Sequence, residues 1–247
     1  RGRQNPSKDF TNFFEEICRS PAPLPAMTGA ITPELLLRAY AMGVFPMADS
    51  AGSSDLHWID PRRRGILPLD GFHISRSLRK EILRGGYEIR ADSDFAAVVA
   101  GCADRETTWI NQEIYSLYLA LHRSGHAHSL EMWQDGELVG GTYGVVLGQA
   151  FFAESMFSRR RSASKIVLAW LMHRLRAGGF VLCDTQFLTP HLASLGGIEI
   201  ARAAYHHKLN MALQGHASFN PEGYHPSCGA ITSSSPGAGS GTTSSCG

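Results

Sequence analysis

Apolar residues recur along this chain with two different spacings, and the places where the spacing changes divide it into parts. From residue 1 to about 30 proline is frequent and the pattern irregular, apart from the short helix-like "TNFFEEICRS". "TPELLLRAYAMGVFP" then carries an apolar repeat of helical spacing, with Thr32 as N-cap, Pro33 at the first helical position and Gly43 as the stop. In "LHWIDPRRRGILPL", Pro61 and Pro68 bracket a short strand near Ile66. These segments are read as a small N-terminal domain, residues 1–70.

From "FHISRSLRKEILRGGYEIRAD" onward helices and strands alternate, which predicts a larger α/β unit over residues 71–213. A helix over Ser77 to Leu83 should end at Gly85 and Gly86, with "YEIRA" as the strand that follows. "DFAAVVAGCAD" reads as helix, as does "NQEIYSLYLALHRSG", where Asn111 caps and Ile114, Tyr118 and Leu121 make one apolar face. "HSLEMWQDGELVGGTYGVVLGQAFFAESMF" predicts three antiparallel strands, turned at Asp135-Gly136 and at Leu147-Gly148. "SKIVLAWLMHRLRAGG" is the next helix, and "FVLCDTQFL" is a largely apolar, central strand. Residues 214–247 decay into "ITSSSPGAGSGTTSSCG" and are expected to form a disordered tail. Helix, helix, three-strand meander, helix, strand is the order of the acetyltransferase-like (GNAT-like) fold, so the predicted class is α/β (α+β), with that fold in the C-terminal domain.

Composition adds limits. A chain of 247 residues with 43% hydrophobic and 18% charged residues is an ordinary globular protein. Its formal net charge of +1 points to no partner, so a polyanion site must come from local clustering. No run of about 18 apolar residues is present, and the opening residues lack the apolar core of a secretory signal. The expectation is a cytoplasmic protein with no membrane partner. Five scattered cysteines without a C-x-x-C pair predict reduced thiols rather than a disulfide frame or a zinc site. His122, His126 and His128 flank Gly125, where a helix should end, and no carboxylate or Cys completes a ligand set, so no metal and no cofactor are expected.

Two stretches carry candidate chemistry. "FFAESMFSRRRSASK" sets one carboxylate, Glu154, at the end of an apolar strand, before three arginines and a helix entrance. Arg159, Arg160, Arg161 and Lys165, with free backbone N–H groups near Ser162 to Ser164, make either a phosphate-sized cationic site or a solvated basic loop. In "CDTQ", Asp184 and Gln186 share one face of a strand, and the Gln amide is the obvious donor to the acid. The alternative is an Asp capping a neighbouring loop. Crossover topology brings Glu154 to the adjacent strand end, so three polar side chains converge beside a cationic helix entrance.

The sequence resembles the leucyl/phenylalanyl-tRNA-protein transferase family in "LLLRAYAMGVFP", "HISRSLRK", "TWIN", "GHAHSLEMW", "ELVGGTYGV", "ESMFSRRRSASK", "DTQ" and "HLASLG", over about Leu35 to Leu209. The resemblance implies transfer of Leu, Phe and less readily Met from aminoacyl-tRNA to proteins with N-terminal Arg or Lys, which marks them for degradation. It implies a catalytic pair, Asp184 and Gln186, with Glu154 near the acceptor. It implies Trp109 beside the tRNA end, and Phe151, Met156, Thr142 and Ser158 around the aminoacyl group. Arg76, Arg79, Lys80, Arg159, Arg160, Arg161 and Lys165 become the tRNA-binding surface, and a monomer is expected. The chain departs from the family pattern at Met47, where F-P-W is common, at "TGAIT" in place of G-G-D-L, at Thr142, where many relatives have Met, and at Ala153. Two other functions share parts of this pattern. An acyl-CoA-dependent N-acyltransferase would need glycines in the phosphate loop, where Arg159, Ser162 and Ser164 stand. A non-catalytic RNA-binding module leaves Glu154, Asp184 and Gln186 without a role.

Overall fold

The computed structural model describes residues 31–48, 56–105, 108 and 110–233. Helix α1 (Pro33–Ala41) starts where Thr32 caps the Leu35 N–H, and Gly43 leaves it at φ 80°. A two-stranded sheet, β1 (Phe45–Ala48) with β2 (Leu56–Ile59), follows. Next comes β3 (Arg63–Ile66), then α2 (Arg76–Arg84), β4 (Glu88–Ala91), α3 (Phe95–Ala103) and α4 (Gln112–Arg123). The meander is β5 (Ala127–Gln134), β6 (Glu137–Leu147) and β7 (Ala150–Ser158). Helix α5 (Ala163–Ala177), β8 (Leu182–Gln186), α6 (Pro190–Ser194), β9 (Ile198–Ala201), α7 (Arg202–Ala212) and α8 (Cys228–Thr232) complete the chain.

The capping residues act as the pattern predicts: Asn111 accepts the Ile114 N–H, and Asp135 and Gly136 take the positive φ values (54° and 78°) of a tight hairpin turn. The large sheet has the order β4-β5-β6-β7-β8-β3-β9, antiparallel except for the β7–β8 pair. A parallel neighbour requires a crossover, and α5 supplies it. Gly140 lets that helix sit close, because a Cβ there would lie 2.7 Å from the Cβ of Ala163. Apolar residues fill both faces. Phe95, Val98, Ile114, Tyr118, Tyr143 and Phe152 belong to one cluster; Phe151, Ile166, Leu171 and Phe180 belong to the other.

Two expectations need correction. A boundary after residue 70 separates β3 from the sheet to which it belongs, since β3 lies between β8 and β9. A proline-bracketed strand of four residues gives no sign of which distant strand it joins. Residues 214–233 are ordered: Phe219 is buried, stacked on Phe151 (5.6 Å) and His128 (4.7 Å), and Arg174 donates to its carbonyl (3.0 Å). Cys228 and Ile231 are buried as well. This segment packs through isolated anchors rather than a periodic stripe, so the low-complexity signal that follows it masked its order. Residues 234–247 lie outside the described residues. Cys102 and Cys183 are free and buried, whereas Cys228 is disulfide-bonded, against the expectation of reduced thiols throughout.

Phe219→Ala should therefore destabilise the protein by about 3–5 kcal/mol in denaturant melts, while Glu222→Ala, at an exposed position in the same segment, should change stability by less than about 0.5 kcal/mol. Equal, small effects would show that the segment is not part of the core.

Candidate active site

Strands β7 and β8 are paired only from Ala150↔Leu182 to Phe152↔Asp184, although β7 continues to Ser158 and β8 to Gln186. Beyond that point the two strands separate. On its other side β7 pairs Ala153 with Gly144 and Ser155 with Tyr143, so Glu154 is the extra residue of a bulge. A bulge re-aims the unpaired side chain. Here it turns the Glu154 carboxylate into the gap between the separating strands, toward Gln186 and two helices.

Four contacts define its surroundings. Tyr40 of α1 donates to Oε1 (2.7 Å), Tyr118 of α4 donates to Oε2 (2.8 Å), and the two hydroxyls lie 2.8 Å from each other. The Gln186 amide donates to Oε1 (3.2 Å). The two carboxylate oxygens and the two hydroxyls form a ring of four oxygens joined by three short contacts. Each tyrosine hydroxyl supplies one hydrogen, so with Glu154 ionised two hydrogens serve three short contacts. Protonated Glu154 supplies the third, and the ring closes: carboxyl O–H to Tyr118, Tyr118 to Tyr40, Tyr40 back to the carboxyl oxygen Oε1. Burial is the largest influence on Glu154 and raises its pKa to about 7, opposed by the two tyrosine hydrogen bonds and by Arg64. Burial, and then the neighbouring carboxylate, hold Tyr40 and Tyr118 far above the usual phenol range, so both remain donors.

Asp184 is surrounded differently. It is fully buried, and its Oδ1 accepts from Arg64 Nε (2.9 Å) and the Gln186 backbone N–H (2.9 Å). Its Oδ2 accepts from Arg64 Nη2 (2.6 Å) and Tyr205 (2.7 Å). The Gln186 side chain, expected on Asp184, is bonded instead to Glu154, and the backbone takes its place on the aspartate. Pattern reading misses Arg64, Tyr40, Tyr118 and Tyr205. Tyr118 had the spacing of a core residue and Arg64 stood in a run of three arginines, so neither carried a local sign of its partner.

The remaining predicted residues divide. Phe151 lies on the opposite face of β7, buried against Phe180 and Phe219, and is not brought to Glu154; Phe152 is, its ring 4.8 Å from that of Tyr40. Thr142 and Met156 are cross-strand partners, Thr142 bonded to the Ser155 carbonyl (2.9 Å) and Met156 packed on the α5-side cluster. Ser158 receives the Ser164 N–H and donates to the Arg160 carbonyl, fixing the entrance to α5, where Ser162 has φ 62°. Arg159, Arg160 and Arg161 are exposed and form ion pairs of 3.5–3.7 Å with Asp104, Glu137 and Glu81. Lys165 is half-buried near the start of α5. Arg76, Arg79 and Lys80 are exposed on α2, and the Glu81–Arg161 contact places that helix beside the α5 entrance. Trp109 lies outside the described residues. Among the described residues no group of three or more His, Cys, Asp or Glu is placed to hold a metal, and His128 pairs with Asp92 (2.7 Å).

The family profile described as leucyl/phenylalanyl-tRNA protein transferase matches residues 66–210, and that of its N-terminal domain matches residues 29–62. Leucyl/phenylalanyl-tRNA-protein transferases of Cereibacter sphaeroides and of a Ruegeria species are each 65% identical to this chain, over 195 and 183 residues. Those alignments span 79% and 74% of this chain and 91% and 87% of the relatives. Among solved structures, FemX aligns with 74% of this chain and 68% of its own, at 13% identity and a TM-score of 0.45.

The raised Glu154 pKa has a stability consequence. A carboxyl with a folded pKa above its unfolded value stabilises the fold below the unfolded pKa, near 4.5, and that contribution is lost as pH rises through about 7. Each pKa unit is worth about 1.4 kcal/mol, and the partial exposure of Glu154 reduces the total. Glu154→Gln should therefore gain about 1–2 kcal/mol on the wild type between pH 5 and pH 8.5. A difference between the two melts that does not change with pH would contradict this environment.

Proposed function

The chain belongs to the leucyl/phenylalanyl-tRNA-protein transferase family, and from that premise we propose that Glu154 takes the proton from the amine during aminoacyl transfer. The reaction joins the free α-amine of an acceptor protein to the carbonyl carbon of an aminoacyl ester. A C–N bond forms, the ester C–O bond to the terminal ribose breaks, and the proton lost by the amine ends on the ribose oxygen. An α-amine has a pKa of roughly 7.7–8.0, so a substantial fraction is already neutral near pH 7.5. The requirement is position and a matched proton acceptor.

The observation that carries this reading is the ring of Glu154, Tyr40 and Tyr118, one hydrogen short until the carboxylate gains a proton. Its pKa of about 7 lies close to that of the amine, which favours transfer in both directions. Gln186 donates its amide to Glu154, which turns its carbonyl oxygen away from the acid and toward an incoming ammonium. The acceptors are proteins with N-terminal Arg or Lys, whose cationic group the ionised Glu154 attracts, and the transferred Leu or Phe marks them for degradation.

Arg76, Arg79, Lys80, Arg159, Arg160, Arg161 and Lys165 hold the tRNA backbone. The exposed arginines pair with two exposed acids, Asp104 and Glu137, and with the half-buried Glu81; pairs of this kind are worth about 0–1 kcal/mol each, so phosphates can replace them, giving salt-sensitive binding without base reading. The meander, the crossover helix and the parallel, separating β7–β8 pair support an acetyltransferase-like fold for the larger unit, with α1, β1 and β2 as a small N-terminal unit. The proposed acting unit is a monomer. Charged tRNA is made in the cytoplasm, which supports that compartment. Among the described residues no helix is long and apolar enough to cross a membrane.

The test uses radiolabelled Phe-tRNA or Leu-tRNA with an Arg-starting peptide, and acetyl-CoA in a parallel reaction. Transfer from the charged tRNAs is expected and none from acetyl-CoA, and Glu154→Gln should lower kcat by about 100-fold or more. Transfer from acetyl-CoA, or a Glu154→Gln enzyme with the wild-type rate, would overturn the reading.

A further inference from the structure

We infer that Arg64, Asp184 and Tyr205 form a positioning cluster: it fixes Gln186 and the Tyr40 corner against Glu154, and Asp184 itself takes no proton from the substrate. The inference rests on the reading of Glu154 as the proton acceptor.

A carboxylate offers about four lone-pair positions. On Asp184 four donors meet them: Arg64 Nε and the Gln186 N–H on Oδ1, Arg64 Nη2 and the Tyr205 hydroxyl on Oδ2. Both Asp184 and Arg64 are fully buried. No position is left for a substrate proton, and the guanidinium that saturates the acid does not titrate in the working range. The Tyr205 hydroxyl gives its single hydrogen to Asp184 and accepts from Arg64 Nη2 (3.2 Å), so it too has no proton to exchange.

The cluster reaches the substrate-facing groups by two routes. Gln186 has φ 57°, a region that side chains rarely adopt. Phe187 N–H donates to the Thr185 carbonyl (2.6 Å), closing a three-residue turn around it. Such a conformation persists only when its surroundings hold it, and the bond from Gln186 N–H to Asp184 does so, leaving the amide aimed at Glu154. By the second route, Arg64 Nη1 donates to the Gly43 carbonyl (2.9 Å), and the guanidinium lies 4.6 Å from the Phe45 ring and 4.3 Å from the Tyr205 ring. Gly43 ends the turn after α1, three residues beyond Tyr40. One guanidinium thus sets the place of two of the donors to Glu154, Tyr40 and Gln186.

The groups that face Glu154 are Tyr40 on α1, Tyr118 on α4, Tyr143 on β6, Arg64 on β3, and Asp184 and Gln186 on β8. Arg64 lowers the Glu154 pKa and Asp184 raises it. Substitutions at the two positions therefore have opposite electrostatic signatures, which a general loss of folding would not produce.

The experiment measures kcat, KM for charged tRNA and the pH profile of kcat for Arg64→Lys, Arg64→Met, Asp184→Asn and Tyr205→Phe. Arg64→Lys keeps the charge but loses the fork, and kcat should fall by about 10- to 100-fold, the cost of a small misplacement, with KM within about threefold. The acid limb of the profile should persist in all four, moving up in Arg64→Met and down in Asp184→Asn. Tyr205→Phe changes one hydrogen bond and little volume, and it tests the cluster if the Arg64 variants do not fold; a several-fold fall in kcat is expected. Wild-type kcat in both Arg64→Lys and Tyr205→Phe, or loss of the acid limb in Asp184→Asn, would overturn the inference. Survival of the limb in Glu154→Gln would instead overturn the reading of Glu154 on which it rests.

Discussion

A carboxylate with no exposed surface must be matched by donors on every side, and the ion pair between Asp184 and Arg64 meets that demand at the point where β7 and β8 separate. Removing one member of such a buried pair typically costs about 3–5 kcal/mol. Its position explains that commitment. Arg64 comes from the N-terminal strand of the large sheet, Asp184 from the crossover strand, and Tyr205 from a C-terminal helix, so three distant segments share one anchor.

Two acids at neighbouring strand ends thereby acquire opposite chemistry. Asp184 is met by a guanidinium, a phenol and a backbone N–H, and Arg64 remains charged because burial, the largest single influence on it, is outweighed by the combined effect of Asp184, Tyr205 and Asp60. Glu154 is met by two phenols and an amide, all neutral, and burial dominates. The bulge at Glu154 is the backbone device that makes the difference, since a regular strand would have paired it in the ladder.

Much of the framework was legible in local chemistry. Thr32, Asn111 and Asp135-Gly136 act through neighbours within three residues, and the meander and crossover helix follow from the apolar spacing. Asp184, Gln186 and Glu154 were found because strand periodicity and crossover topology bring them together. Arg64 was not, because its partner lies 120 positions away and its two arginine neighbours look identical in sequence. Simple alternation also places Met156 on the face of Glu154; the bulge shifts the phase and sets it with Thr142 instead. Residues 214–233 escaped notice because Phe219, Cys228 and Ile231 are anchors without a period.

The central claim is that Glu154 is a carboxylate held ready to gain a proton near neutral pH. Carbon-detected NMR of protein labelled at the glutamate and aspartate carboxyl carbons tests it without reference to turnover. The account predicts one carboxyl that titrates with a midpoint near 7 and is absent from the spectrum of Glu154→Gln. No carboxyl titrating near neutral pH, or one that survives that substitution, would contradict it.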